Sequence, residues 1–196
     1  MSSKNLIRII FILILFSQCK PSPKTQLEKW VGENDKADAV EMDQLAQIIF
    51  DQTYKSTEWN ESGQLFIEYG GSTALTFSDN KTYLPMILLD LARKTYRTYA
   101  FGEKRGLKSL RVSLVKPLFV KDAPNAESEV QEFEIYRIKI DEDSIAGVQS
   151  DWGKDFPDSF MSDKNDMPNE ELLKFLEIWQ KKWKIELNEF SRIEVH

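Results

Sequence analysis

Residues 108–121 (KSLRVSLVKPLFVK) and 130–140 (VQEFEIYRIKI) carry the plainest pattern in the chain. In the first, Leu110, Val112 and Leu114 alternate with Arg111 and Ser113; in the second, Tyr136, Ile138 and Ile140 alternate with charged neighbours. A period of two belongs to a strand with one face on a core and the other in water. Pro117 cannot donate to a ladder, so it predicts an edge position or a bulge. The link between the two runs, DAPNAESE, reads as a solvated loop.

Working outward, residues 64–78 open with QLFIEYGGSTALTF. LFIEY and TALTF favour strands, and Gly70-Gly71-Ser72 supplies a turn, which predicts a hairpin. Residues 83–100 (YLPMILLDLARKTYRTYA) fit a helix, with Leu84, Leu88, Leu91, Thr95 and Tyr99 along one side. Asp79 or Thr82 could cap it, Pro85 is tolerated in its first turn, and Gly102 and Gly106 mark its end. Residues 38–56 read as an earlier helix, with Leu45, Ile48, Ile49 and Gln52 on one face and Asn60-Glu61-Ser62-Gly63 breaking the pattern. Residues 169–188 give the clearest helix. Leu172, Leu176, Trp179, Trp183 and Leu187 share a face, Glu170 and Glu171 sit at its start, and Lys181, Lys182 and Lys184 near its end suit the helix dipole. Its aromatic face reads as core, or as a partner groove if exposed. The tail FSRIEV suits a short strand. Residues 141–168 are acidic and irregular, with Trp152, Phe156 and Phe160 available for local order. Helices separated by hairpin-like pairs predict an α+β single domain, with a mostly antiparallel sheet of about four strands and three main helices.

The N-terminus has a different logic. Lys4 and Arg8 precede an apolar run from Ile9 to Phe16, and Ser17-Gln18-Cys19-Lys20 ends it. A charged start, a short apolar run and a polar exit are the parts of a secretory signal. A membrane-spanning helix would need about 20 apolar residues, more than twice this run. The segment Leu15-Phe16-Ser17-Gln18-Cys19 resembles the relaxed lipobox of spirochaete lipoproteins. Leu15 stands four residues before the Cys rather than the usual three, Phe16 takes the usual Leu place, and Gln18 takes the place of a small residue. The resemblance covers residues 1–19. It implies that the Cys19 thiol takes a diacylglyceryl group, that the signal is cut just before it, and that the freed amine is acylated. Two or three acyl chains anchor a protein stably where one does not. The alternative is an ordinary signal peptide, but no small-x-small cleavage site follows the apolar run. The expected organisation is a signal peptide over residues 1–18, a flexible tether over 19–36 and a globular domain over 37–196. Within the tether, Trp30 and Val31 could dock on the domain or the bilayer interface.

Composition narrows the function. The net charge of −6 includes Lys4 and Arg8, so removing residues 1–18 leaves −8. An acidic total argues against nucleic acid as a partner. Cys19 is the only cysteine and His196, the last residue, the only histidine. Cysteine nucleophiles, Cys-based zinc sites and a Ser-His-Asp triad are therefore not expected. No phosphate-cradling loop is present, since no Lys-Ser/Thr follows Gly70-Gly71. Neither a cofactor nor a resident metal is expected.

Three clusters carry what chemistry remains. Arg93, Lys94, Arg97, Lys104, Arg105, Lys108 and Arg111 crowd a stretch with one acid, Glu103. Arg93, Arg97, Lys104, Arg105 and Lys108 form a candidate patch for an anionic glycan or lipid; the plainer reading is the polar side of a helix followed by an exposed turn. Tyr96, Tyr99 and Phe101 could stack on a ligand, although helical spacing places the two tyrosines in the core. The acids from Asp141 to Asp166 could bind calcium or be a solvated loop. EF-hand spacing fails, because counting from Asp163 puts Pro168 at the required glycine. Finally, Glu58 beside Trp59, or Asp151 beside Trp152, would suit a glycan hydrolase with paired carboxylates. The favoured expectation is a lipid-anchored lipoprotein of the cell envelope, at the outer membrane, binding an envelope protein or anionic glycan or lipid rather than catalysing. The hydrolase is the alternative.

Overall fold

The computed structural model describes residues 22–32, 35–71, 83–119, 130–152, 178, 181–183 and 186–187. In chain order the elements are α1 (Pro23–Val31), α2 (Ala39–Phe50), β1 (Tyr54–Asn60), β2 (Gln64–Tyr69), α3 (Tyr83–Gly102), β3 (Ser109–Phe119), β4 (Val130–Asp141), α4 (Glu142–Trp152) and β5 (Glu186–Leu187). The fold is α+β, with one sheet in the order β1-β2-β3-β4-β5.

α1 corrects the expected tether. Ser22 accepts a hydrogen bond from the Thr25 N–H at 3.3 Å, and Pro23 occupies the first helical turn. A hydroxyl cap followed by proline is a helix start. Leu27, Trp30 and Val31 then fall on one face, and Trp30 is buried against the body of the domain.

α2 starts at a reciprocal cap: the Asp38 carboxylate accepts from the Glu41 N–H, and the Glu41 carboxylate accepts from the Asp38 N–H, each at 2.9 Å. Met42, Leu45, Ala46 and Phe50 are its buried stripe. The helix ends at Phe50 rather than at residue 56, because Asp51 turns to a φ of 44°. Tyr54–Asn60 then runs as a strand and forms a hairpin with β2 around Gly63. The segment expected to break a helix is thus the hairpin turn, and β2 pairs backward with β1. The expected second strand TALTF lies outside the described residues.

β2 and β3 pair in parallel, Leu65 opposite Leu110 and Ile67 opposite Val112, with α3 as the crossover. Parallel neighbours need such a connection. β3 pairs with β4 antiparallel, as do β1 with β2 and β4 with β5, so the sheet is mixed but mostly antiparallel. Leu65, Ile67, Tyr69, Leu110, Val112, Leu114, Tyr136, Ile138 and Ile140 are buried, and α2 and α3 pack on the sheet beside one another. Pro117 sits beyond Leu114, the last β3 residue paired to β2, and its other neighbour is Glu132 on β4. There it has no β2 bond to donate, as expected of a strand proline.

A bulge on β4 has a chemical consequence. Leu114 faces Tyr136 and Val115 faces Glu134, leaving Ile135 as the extra residue, and both Ile135 and Tyr136 are buried. Residues three apart on a regular strand point to opposite faces; one inserted residue brings Glu134 and Arg137 to the same side. Arg137 donates to both Glu134 oxygens, at 2.8 and 2.5 Å, and the buried Ser113 hydroxyl donates to the same carboxylate at 2.5 Å. Burial works to raise the Glu134 pKa, but these hydrogen bonds and the charges of Arg137 and Arg111 outweigh it and hold the group below the usual glutamate range. A depressed acid contributes stability above its unfolded pKa and loses it as pH falls through the folded value. Glu134→Gln should therefore cost about 1 kcal/mol at pH 7. The gap in urea midpoint between the two proteins should close below about pH 4, the ordinary glutamate range.

The expected acidic loop begins instead as α4, whose first turn Asp141 caps by accepting from the Ser144 N–H at 2.8 Å and its hydroxyl at 2.6 Å. Of the last expected helix, residues 178, 181 and 182 are helical. Trp183 is fully buried, stacks on Tyr96 at 6.4 Å and donates its indole N–H to the Ser144 carbonyl at 3.2 Å. That part of the aromatic face is core. Leu187, expected on the helix, lies in β5 opposite Tyr136. The rest of that helix and the tail lie outside the described residues.

Candidate functional site

One member of the basic cluster leaves the surface. Arg105 is turned inward, with only 4% of its surface exposed. Its Nε donates to the Asp35 carbonyl at 2.9 Å, one terminal nitrogen to the Trp30 carbonyl at 3.2 Å, and the other to Glu41 at 2.6 Å. Its guanidinium also lies 4.6 Å from the Trp30 ring centre. A planar five-donor fork suits this geometry, and the residue is a clamp between α1, α2 and the turn after α3. Lys104 next to it is exposed, with its amine 5.6 Å from the Phe101 ring centre, and Lys108 is exposed at the foot of β3. Arg93 and Arg97 are half-buried on α3. From Arg93 to Lys104 the rise is about 16 Å at 1.5 Å per residue. The five residues expected as an anionic-ligand patch therefore extend along α3 and past its end to β3, and Arg105 among them serves the fold.

The hydrolase pair at Glu58 and Trp59 is also separated. Glu58 pairs opposite Phe66 and is exposed; Trp59 pairs opposite Leu65 and packs toward the core. Neighbours on a strand point to opposite faces, so this carboxylate and this ring cannot flank one sugar. The side chains of Asp151 and Trp152 lie outside the described residues. A small cleft of about 290 Å³ between α3 and α4 does hold Glu103 and Glu142 beside Tyr96 and Tyr99. Burial raises the Glu103 carboxyl, with Glu142 adding to the shift and Lys104 opposing it. Burial, joined by Glu103, Glu142, Asp141 and Asp143, pushes the Tyr99 hydroxyl up to about 12. Among the described residues no three acids come together as a metal ion would require. Asp155, Asp158, Asp163 and Asp166 lie outside them.

A different cavity was not visible in the sequence. It measures about 240 Å³ and opens at the carboxyl end of β2, where β3 runs on and the chain departs toward α3. Tyr69, Gly70 and Gly71 form one wall, Met86, Ile87 and Asp90 of α3 another, and Thr53, Leu114 and Lys116 complete it. Tyr69 is 2% exposed, and its ring leans on Phe50 at 4.9 Å. Its hydroxyl has no hydrogen-bond partner among the described residues. Burial, then the Asp90 charge, raises its pKa well above the usual phenol range. Lys94 on α3 packs beside Tyr69: its amine donates to Asp90 at 2.9 Å and to the Thr53 hydroxyl at 3.4 Å and sits 5.2 Å from the Tyr69 ring centre. Lys55 pairs with Glu132 nearby. On its wall Gly70 adopts a φ of 154° and lies so close to Val115 that an added Cβ would meet the Val115 carbonyl oxygen. The Gly70-Gly71 step, expected to be a hairpin turn, thus lines a cavity.

No family model matches this chain, and neither curated proteins nor solved structures gave a match.

Proposed function

We propose that the chain is a lipid-anchored binding module of the bacterial envelope, tied to the outer membrane through Cys19, with its ligand seated in the cavity at the end of β2. The observation that carries the binding role is the largely apolar cavity itself, walled by Tyr69, Met86, Ile87 and Leu114, with the Tyr69 hydroxyl buried beside it and without a hydrogen-bond partner among the described residues. A buried polar group left unsatisfied costs about 1–3 kcal/mol, which a partner completing the bonding would recover. The anchoring rests on the resemblance of residues 15–19 to a lipobox. No described helix is long and apolar enough to cross a membrane.

The start of α1 refines this picture. Pro23 follows Cys19 by four residues, which span at most about 14 Å fully extended. With Trp30 and Arg105 fixing α1 to the body, the domain rides close to the bilayer rather than on a long tether. Cys19→Ala should abolish labelling by radioactive palmitate and release the chain from the membrane fraction. Unchanged labelling would contradict the anchor.

A further inference from the structure

The cleft between α3 and α4 shares no lining residue with the Tyr69 cavity. Glu103 and Tyr99 line it from the end of α3, and Glu142 from the start of α4. Ala100, Ile145 and Ala146 give it a small apolar floor. Neither carboxylate has a hydrogen bond or ion pair among the described residues. Glu142 opens α4, where the helix dipole favours a negative charge; Glu103 follows the last turn of α3, where the dipole opposes one. Nearby cations are engaged elsewhere. Lys104 lies over the Phe101 ring, Lys182 packs against Gly147, and neither lines the cleft. Arg93 and Arg97 have partners of their own and do not line it either.

Tyr99 is a second, independent sign. It is 4% exposed, lines the cleft, and its hydroxyl has no hydrogen-bond partner among the described residues. Unlike the Tyr69 hydroxyl, that oxygen is not closed off from solvent. After burial, the charges of Glu103 and Glu142 act on it most strongly, so it points toward them.

We propose that this cleft binds a small aliphatic primary amine, its ammonium donating to Glu103, Glu142 and the Tyr99 hydroxyl and its chain lying on Ala100, Ile145 and Ala146. This site goes beyond the binding role assigned above and stands apart from it. An ammonium has three N–H donors, and the cleft offers these three acceptors. Ammonium-to-carboxylate bonds are about twice as strong as neutral ones. The volume of about 290 Å³ sits at the lower edge of the roughly 300–1,000 Å³ of small-molecule sites, so the chain is short. The ligand carries no anionic group, because Asp141 and Asp143 stand beside the glutamates and would repel one. That sets aside amino acids and phosphate-bearing headgroups. A metal ion is not favoured, since no three acids among the described residues come together to hold it. Burial holds the Glu103 carboxyl above the usual glutamate range; Lys104 opposes the shift and Glu142 adds to it, as expected of facing acids that lack a shared cation.

The test is calorimetric titration of the full chain, solubilised in non-ionic detergent at pH 7 and low salt. The probes are n-butylamine, 1-butanol, butyltrimethylammonium, 4-aminobutanoate and calcium chloride. Butylamine should bind, and each of the others at least about tenfold more weakly. The alcohol lacks the charge, the quaternary ion lacks the N–H donors, and the amino acid brings a carboxylate. Glu103→Gln and Glu142→Gln should each weaken butylamine by about tenfold, and Tyr99→Phe by about fivefold. Glu68→Gln, on the sheet face turned away from the buried Ile67 and Tyr69, should leave it unchanged. Glu103→Gln should also raise the ligand-free Tm by about 1 °C, because it removes a charge that faces Glu142 and opposes the α3 dipole. No butylamine binding, equal binding of any other probe, full affinity in any of the three cleft variants, or a lowered Tm in Glu103→Gln would each overturn the proposal. A failed amine leaves the Tyr69 cavity and the anchor at Cys19 untouched, so the three readings fail separately.

Discussion

Arg105→Ala is expected to cost the fold about 3 kcal/mol, the range for removing one partner from a buried ion pair. The wild-type guanidinium satisfies two backbone carbonyls and the Glu41 carboxylate, and covers the Trp30 ring. Alanine would leave the carbonyls of Trp30 and Asp35 without this donor and open space beside the indole. Glu41 would keep its bond to the Asp38 N–H, which limits the loss on that side. The Tm should fall by about 9 °C for a chain of this size. Arg105→Lys should recover little, since one ammonium cannot span three acceptors in different directions. The damage should be local first: α1 should loosen, and trypsin should cut sooner at Lys24 and Lys29. A change in stability below about 1 kcal/mol would mean that the clamp does not hold α1.

Gly70→Ala should be at least as costly, at about 3 kcal/mol or more, and for a backbone reason. A Cβ at this position would lie 1.8 Å from the Val115 carbonyl oxygen, and φ is 154°, which L side chains rarely adopt. The Gly70 N–H also donates to the Thr53 carbonyl at 2.7 Å, so the chain cannot shift without breaking that bond. Val115 belongs to the central strand and sits at the β3–β4 bulge, so the strain would spread into the sheet. Gly32→Ala is the matched control. Its φ is −68° and the nearest atom to an added Cβ is 3.4 Å away, so its effect should stay within about 0.5 kcal/mol. Urea unfolding of the two variants side by side reads both numbers, and equal midpoints would contradict the account.

Much of the fold was legible where a pattern repeats locally. The alternation in β3 and β4 and the 3.6-residue stripe of α3 are local, and the elements follow them closely. Pro117 also spoke truly, because a missing donor is a local fact. The errors came where one local signal stood for two structures. Tyr54–Asn60 follows α2 with no Gly or Pro between them, and its strand becomes visible only through its pairing with β2. The parallel register of β2 and β3 depends on residues more than forty positions apart, beyond the reach of periodicity. α1 could have been read from Ser22-Pro23 and the spacing of Leu27, Trp30 and Val31, but its polar composition resembled a linker.

The candidate site was less legible than the fold. An arginine that clamps a core and one that waits for an anion look alike in sequence; the partners of Arg105 lie sixty-four to seventy-five residues away. Glu58 and Trp59 are neighbours in sequence and so, on a strand, are on opposite faces in space. The Tyr69 cavity is built from four separate segments, and no one of them carries a motif. Its one sequence sign was Gly70-Gly71, whose freedom fits a hairpin turn and a close backbone approach equally well.

The mass of the N-terminal peptide tests the anchor most directly. The protein would be taken from the membranes of the cell that makes it, digested with trypsin and its first peptide weighed. The expected chain starts at Cys19 and carries the added mass of a diacylglyceryl group on sulfur and an acyl chain on the amine. A first peptide that retains residues 1–18, or one in which Cys19 bears a free thiol, would contradict it.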